Sequence, residues 1–287
     1  KLRFKSLLMS ISNNSVAVLT GAASGIGRAL AVSLAHEKIA GLAIADVNKN
    51  GLEETANLVS RTGVRCTTHL VNVANREEVR NLADEVLSAH GKATHLINNA
   101  GVALFGDFEE ISLEDFEWLM NINFWGTVYG VKFFLPILSK QQSAHIINLS
   151  SVFGIVAPPG QSAYCASKFA VRGFTESLRH ELENTNVFVS TVFPGGIKTN
   201  IARSAKLGSG AAVQDKEIGI RFFDKVSINS AEFAAEKILR GIKNKNPRIL
   251  VGQDAVAINL FQRIFPKRYL QAVERISGMK LHLKKRV

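Results

Sequence analysis

Cysteine is nearly absent from this chain: Cys66 and Cys165 are the only two among 287 residues. Two thiols cannot build a disulfide framework or a cysteine-based metal site, so the fold has to be held by its core, and a reducing, cytoplasmic setting is the default. The seven histidines are scattered, and no His/Asp/Glu spacing forms a ligand set, so no metal is expected. A charged-then-apolar leader segment is missing too. Acidic residues are scarce at both ends. Residues 1–5 carry Lys1, Arg3 and Lys5 with no acid, and residues 263–287 carry eight basic side chains against Glu274 alone. Those ends hold +3 and +7 of the net charge of +11, which leaves +1 for everything between them. A nearly neutral body speaks against a nucleic-acid-binding fold. Basic ends read as solvated tails, or as peripheral contact with an anionic membrane surface.

What the chain has is the means to build a core. With 46% hydrophobic and 21% charged residues, it fits one large α/β domain better than two small ones. Residues 1–14 read as an N-terminal extension with Met9 as a candidate start, residues 15–253 as the folded domain, and residues 254–287 as a basic C-terminal extension. The last segment runs apolar from Val256 to Phe265. It continues past Pro266 as a basic amphipathic stretch with Tyr269, Leu270, Val273 and Ile276, suited to covering a neighbouring subunit or lying on a membrane.

From Ser15 onward the pattern is strand, turn, helix. Val16–Leu19 is a short apolar run that enters Thr20-Gly21-Ala22-Ala23-Ser24-Gly25-Ile26-Gly27 and then an Ala/Leu-rich helix to about His36. Glycines at such a turn let the backbone bend sharply and approach a pyrophosphate, while the helix start offers free N–H groups and a positive dipole end. The next apolar run, Leu42–Ala45, ends on Asp46, nineteen residues after Gly27. A carboxylate there reaches the adenosine ribose and repels a 2′-phosphate, so NAD is favoured over NADP; the competing reading is an Asp capping the helix of residues 49–62. Val64–Val71 predicts a third strand, Asn75 with Glu78 a capping box opening a helix to about His90, and Thr94–Ile97 a fourth strand running into Asn98-Asn99-Ala100-Gly101. Strands alternating with helices imply a parallel sheet covered on both faces.

Tyr164 and Lys168 lie four residues apart and share one helix face. An ammonium near a phenol favours the phenolate and can turn a tyrosine into a base. Alone, such a pair is ordinary on a helix; beside a dinucleotide turn it becomes a candidate proton-transfer centre.

Taken together, the T-G-A-A-S-G-I-G turn at 20–27, N-N-A-G at 98–101 and Y-C-A-S-K at 164–168 resemble the short-chain dehydrogenase/reductase family, in its compact single-domain branch, over residues 15 to about 252. The resemblance implies a Rossmann-like doubly wound parallel sheet of about seven strands with helices on both faces, here with a C-terminal helical extension. It implies a catalytic set of Asn123, Ser151, Tyr164 and Lys168, with Ser151 chosen as the serine thirteen residues before Tyr164. Cofactor contacts are implied at Gly21, Ser24, Gly25, Ile26, Gly27 and Asp46, at Asn72, Val73, Asn99, Ala100 and Gly101, and at Tyr164, Lys168, Pro194, Gly195, Ile197 and Thr199. One departure stands out: the family usually carries Asp-Val where this chain has Asn72-Val73, although an amide can still donate and accept beside an adenine. By the same resemblance, helices at about 112–138 and 162–184 pair across subunits into a homodimer or homotetramer. Phe116, Leu119, Phe133, Phe169 and Phe174 supply their apolar surface.

The implied activity is NAD(H)-dependent interconversion of a secondary alcohol and its ketone, or of an aldehyde/alcohol pair. Substrate contacts are expected from Ser151, Phe153 and Tyr164, within surroundings made apolar by Ile155, Val156, Pro158, Pro159, Phe222 and Phe223. No clustered Arg stands ready for a carboxylate or phosphate, so the expected substrate is a small hydrophobic secondary alcohol or ketone. The segment from Ile197 to about Asn229 reads as a mobile lid. Two alternatives stand beside this reading: an NADP(H)-dependent carbonyl reductase, opposed by Asp46, and a dinucleotide-binding scaffold without turnover, opposed by the complete catalytic set.

Overall fold

The computed structural model describes residues 11–271 and 274. Nine strands and nine helices follow one another in it: β1 Val16–Thr20, α1 Gly25–His36, β2 Gly41–Asp46, α2 Lys49–Ser60, β3 Arg65–Leu70, α3 Arg76–His90, β4 His95–Asn98, β5 Leu104–Phe105, α4 Leu113–Met120, α5 Gly126–Leu138, β6 Ala144–Leu149, α6 Ser162–Glu181, β7 Val187–Pro194, β8 Lys206–Leu207, α7 Val213–Val226, α8 Ala231–Lys243, β9 Arg248–Val251 and α9 Gln253–Ile264. Seven strands form one parallel sheet in the order β3-β2-β1-β4-β6-β7-β9, and β5 pairs with β8 beside it. The expected fold class is the one observed.

Strand periodicity explains the layering. Ala17 and Leu19 of β1 pack with Leu30 and Leu34 of α1, Leu52 and Val59 of α2 and Ile238 of α8 on one face. Val18, between them, points to the other face with Val79 and Leu82 of α3, Phe134 and Leu138 of α5 and Leu178 of α6. Leu19, Leu30, Leu34 and Leu82 are all but fully buried, and each contributes about 1.5–3 kcal/mol relative to exposure. Strand order reverses between β1 and β4, and at such a switch point the carboxyl ends of the strands diverge into a crevice.

Several local expectations are revised. The competing reading of Asp46 as the cap of α2 falls away, because Asn48 caps it, accepting from the Gly51 N–H at 3.0 Å. The capping box expected at Asn75 is half made: Asn75 accepts from the N–H groups of Glu77 and Glu78, but Glu78 reaches across to the Asn72 N–H at 2.7 Å. The helix expected over 112–138 is interrupted by a π-helical turn at Asn121–Trp125, where an extra residue shifts the register and turns Asn123 inward. Leu119 is fully buried in its own subunit and so supplies no surface for a partner. Ile11, placed by sequence in an extension, is buried in the α1/α2/α8 core. The lid segment is tied down at β8 and continues into α7. Among the described residues, no helix is long and apolar enough to cross a membrane. Expectations that fall on residues 1–10, Val273 and Ile276 lie outside the described residues.

Candidate active site

The crevice at the switch point widens into a cavity of about 890 Å³. Its floor is the turn after β1. Gly21 holds φ +67° and Gly25 φ +52°, a left-handed backbone that side chains disfavour. A Cβ on Gly27 would lie 2.0 Å from the Gly21 carbonyl oxygen, so the helix can start this close only with glycine. The far side is closed by Asn99, whose amide donates to the carbonyls of Thr20 and Gly21 at 2.9 Å each. Thr20 Oγ1 in turn accepts from the N–H groups of Asn99 and Ala100 at 3.1 Å. This lattice joins the ends of β1 and β4 at the point where they diverge.

The first turn of α1 is where a dinucleotide fits. Side chains of Asn48, Asn75, Ser112 and Ser230 cap α2, α3, α4 and α8, whereas Ser24 makes no side-chain cap to α1. Ser24, Gly25, Ile26 and Gly27 line the cavity, so the helix start brings its donor set and positive dipole end there, suited to a pyrophosphate. Asp46 stands at the end of β2 on the cavity wall, with Oδ2 accepting from the Ala23 N–H and Oδ1 from the Asn48 N–H, both at 3.0 Å. Each oxygen keeps acceptor capacity for a ribose hydroxyl, and its charge opposes a 2′-phosphate. Asn72, Val73, Ala100 and Gly101 line the same half of the cavity. Across from them stand Pro194, Gly195, Ile197 and Thr199, with the Thr199 methyl 3.2 Å from where a Cβ on Gly25 would sit.

The reacting end lies beyond β6. Ser151 begins a short 3₁₀ turn, Val152–Gly154; its hydroxyl accepts from the Phe153 N–H at 3.1 Å and lies near enough to Tyr164 to favour its phenolate. The Phe153 ring meets Tyr164 edge-on at 6.1 Å between centroids. Lys168 is 4% exposed, donates to the Leu149 carbonyl at 3.1 Å, and holds Nζ 5.7 Å from the Tyr164 ring centre. Burial pushes the Tyr164 phenol up to about 12, opposed by the nearby Ser151 hydroxyl, and pushes Lys168 down to about 8. In the protein alone, burial therefore outweighs the lowering of the phenol expected from the ammonium, and Tyr164 carries its proton near neutrality.

Asn123 is placed differently from the other three. It is 1% exposed and stands behind the cavity wall, accepting from the Val102 N–H at 2.8 Å and donating to the Val102 carbonyl and Ser167 Oγ. Its Oδ1 and the Lys168 Nζ both approach the space above Gly101, within 3.2 and 3.3 Å of a Cβ built there. The side chain thus clamps the segment after β4 to α6 and braces the ground on which Lys168 stands.

Of the apolar residues expected around the substrate, Phe153, Pro158, Pro159, Phe222 and Phe223 line the cavity. Ile155 and Val156 do not; they are 2% and 3% exposed and pack with Phe193 beneath it. Phe105 of β5 lines it and was not foreseen, being a single aromatic in a loop-like stretch. Asp115 was also missed. It reads as a helix-cap acid, yet it is 3% exposed and binds Lys206 Nζ at 2.6 Å and the Ser209 N–H at 3.0 Å. Those contacts hold its carboxyl below the usual range, Lys206 foremost, and fasten the lid to α4.

Comparison with known proteins settles the family. A family model described as short chain dehydrogenase matches residues 15–209. The chain belongs to the short-chain dehydrogenase/reductase family. It is an oxidoreductase of that family, 42% identical over 268 residues to the SadH protein of Mycobacterium tuberculosis, named as an oxidoreductase, covering 92% of this chain and 96% of that one. Human estradiol 17-beta-dehydrogenase 11 is 29% identical over 268 residues, covering 92% of this chain and 84% of the relative. Among solved structures, a short-chain dehydrogenase/reductase from Burkholderia phymatum in complex with NAD superposes with a TM-score of 0.80 at 30% identity, covering 96% of this chain and 99% of that one.

Proposed function

We propose that this short-chain dehydrogenase/reductase interconverts a hydrophobic secondary alcohol and its ketone with NAD(H). The observation that carries the reading is that Ser151, Tyr164 and Lys168 line one cavity with the glycine turn and Asp46, with the Lys168 ammonium beside the Tyr164 ring. The uncapped start of α1 and the Asp46 carboxylate support NAD, as does the NAD bound by the Burkholderia phymatum relative. Bound NAD supplies two-electron chemistry as hydride transfer at the carbinol carbon.

The chain's own groups handle the proton. In ketone reduction, the protonated Tyr164 phenol donates to the substrate oxygen while Ser151 hydrogen bonds the same atom and holds it in line. In alcohol oxidation, Tyr164 must first give up its proton, and Lys168 is the neighbouring positive charge that eases the loss. Asn123 keeps Lys168 and the segment after β4 in register. Phe105, Phe153, Phe222 and Phe223 give the substrate end apolar walls, and the lid limits water there.

A chain-length series of secondary alcohols, followed by NADH absorbance, tests the substrate class. The expected outcome is kcat/KM rising with apolar size, about tenfold for every 1.4 kcal/mol of added transition-state contact. Highest activity on short diols or hydroxy acids contradicts the apolar site.

A further inference from the structure

Three glycines surround one carboxylate at the reacting end of the cavity. Asp254 stands in the first turn of α9, past the last strand of the sheet, and its Oδ2 accepts from the Gly196 N–H at 2.6 Å. A Cβ on Gly195 would lie 2.1 Å from that same oxygen, and a Cβ on Gly252 would lie 2.2 Å from Oδ1. Gly252 also holds φ +103°, a conformation other L-residues rarely adopt. A Cβ on Gly196 would strike the Val226 carbonyl, at 2.0 Å, where the lid helix α7 ends. The backbone is thus stripped to glycine wherever a side chain would displace this carboxylate or part the turn from the lid.

Its second oxygen is not spent on the fold. Asp254 Oδ1 is buried and without a hydrogen-bond partner, as is Asn229 Nδ2, which lies 3.0 Å from the same Cβ position on Gly252. Leaving a buried acceptor unpaired is costly, and such groups concentrate at functional sites. Asp254 lines the same cavity as Tyr164 and Thr199. The sheet order fixes which end this is: β2, bearing Asp46, lies on one side of the switch point, while β6 and β7, leading to Ser151 and Pro194, lie on the other. Tyr269, further along the chain, packs against the cluster of Ile155, Val156 and Phe193, and its hydroxyl accepts from the Ala157 N–H at 3.4 Å. Asp254, Ala257 and Ile258, in the segment assigned by sequence to the C-terminal extension, thus line the site's wall.

We propose that Asp254 is a positioning residue: it fixes the Pro194–Gly196 turn, and through that turn the nicotinamide half of the dinucleotide, so that cofactor binding depends on α9. The inference rests on reading the cavity as an NAD site. In the full chain, Asp254→Ala lowers NADH affinity about tenfold, measured by nicotinamide fluorescence, and leaves ADP-ribose affinity within about twofold, because ADP-ribose occupies only the half bounded by Asp46. Asp254→Asn retains an oxygen for the Gly196 N–H and restores NADH binding to within about threefold. Should Asp254→Ala not fold, Asp254→Ser, which leaves a small polar group among the glycines, takes its place with the same expected split. Equal losses for NADH and ADP-ribose, or no loss for either, overturn the positioning role. If the unaltered protein binds neither ligand, the NAD reading itself fails, and the inference falls with it.

Discussion

The two halves of the cavity are built in different ways. The adenosine half rests on backbone: Gly21, Gly25 and Gly27 shape the turn, Asn99 and Thr20 lock it to β4, and Asp46 lies only nineteen residues beyond Gly27 in the chain. The reacting half is assembled from segments far apart in sequence, with Ser151 in the turn after β6, Tyr164 on α6, Phe105 on β5 beside the lid, and Asp254 on α9. The first half depends on what a glycine permits. The second depends on side chains meeting across long chain separations.

That difference predicts which substitutions separate binding from chemistry. Asp46→Ala removes the acceptor at the adenosine end. Hydrogen bonds to a charged group contribute about 1.5–3 kcal/mol, so kcat/KM with NADH is expected to fall about 10- to 100-fold, while kcat/KM with NADPH changes little or rises. Parallel steady-state assays with the two cofactors check this, and an equal fall for both contradicts the role given to Asp46.

Asp115→Asn acts at the other end and more weakly. It leaves Lys206 without its charge partner, but Lys206 is 47% exposed and can turn to solvent, so the expected cost is about 1 kcal/mol. The lid then loosens. The substrate KM is expected to rise about threefold to tenfold with the NADH KM nearly unchanged. A rise in the NADH KM alone would place Asp115 in the wrong half.

The same contrast explains what could be read from sequence. The sheet and the glycine turn were legible because short apolar strand runs and φ requirements are local properties. Asp115 stands in the first turn of α4, its N–H held by the Ser112 cap, and nothing local reveals that Lys206 arrives ninety-one residues later to pair with its carboxylate. Asp254 looked like the first residue of a tail, and its neighbours Gly195, Gly196 and Gly252 carry no visible mark of the carboxylate they accommodate. Asp46 is held at the strand end by the Ala23 N–H and Asn48 caps α2, which leaves the ribose reading of Asp46 without its rival. The phenol was read as lowered by Lys168, since charge spacing is visible in a sequence whereas desolvation becomes visible only once the fold has buried both groups.

The account turns on Tyr164 as the group that moves the proton, and a Tyr164→Phe variant addresses it most directly. The ring and its contact with Phe153 are kept while the hydroxyl is lost. NADH affinity, read by fluorescence titration, is expected to stay within about threefold, and kcat for ketone reduction to fall by about 10²–10⁴-fold, the usual contribution of a positioned general acid. Turnover within about tenfold of the unaltered protein, with NADH binding intact, would contradict it.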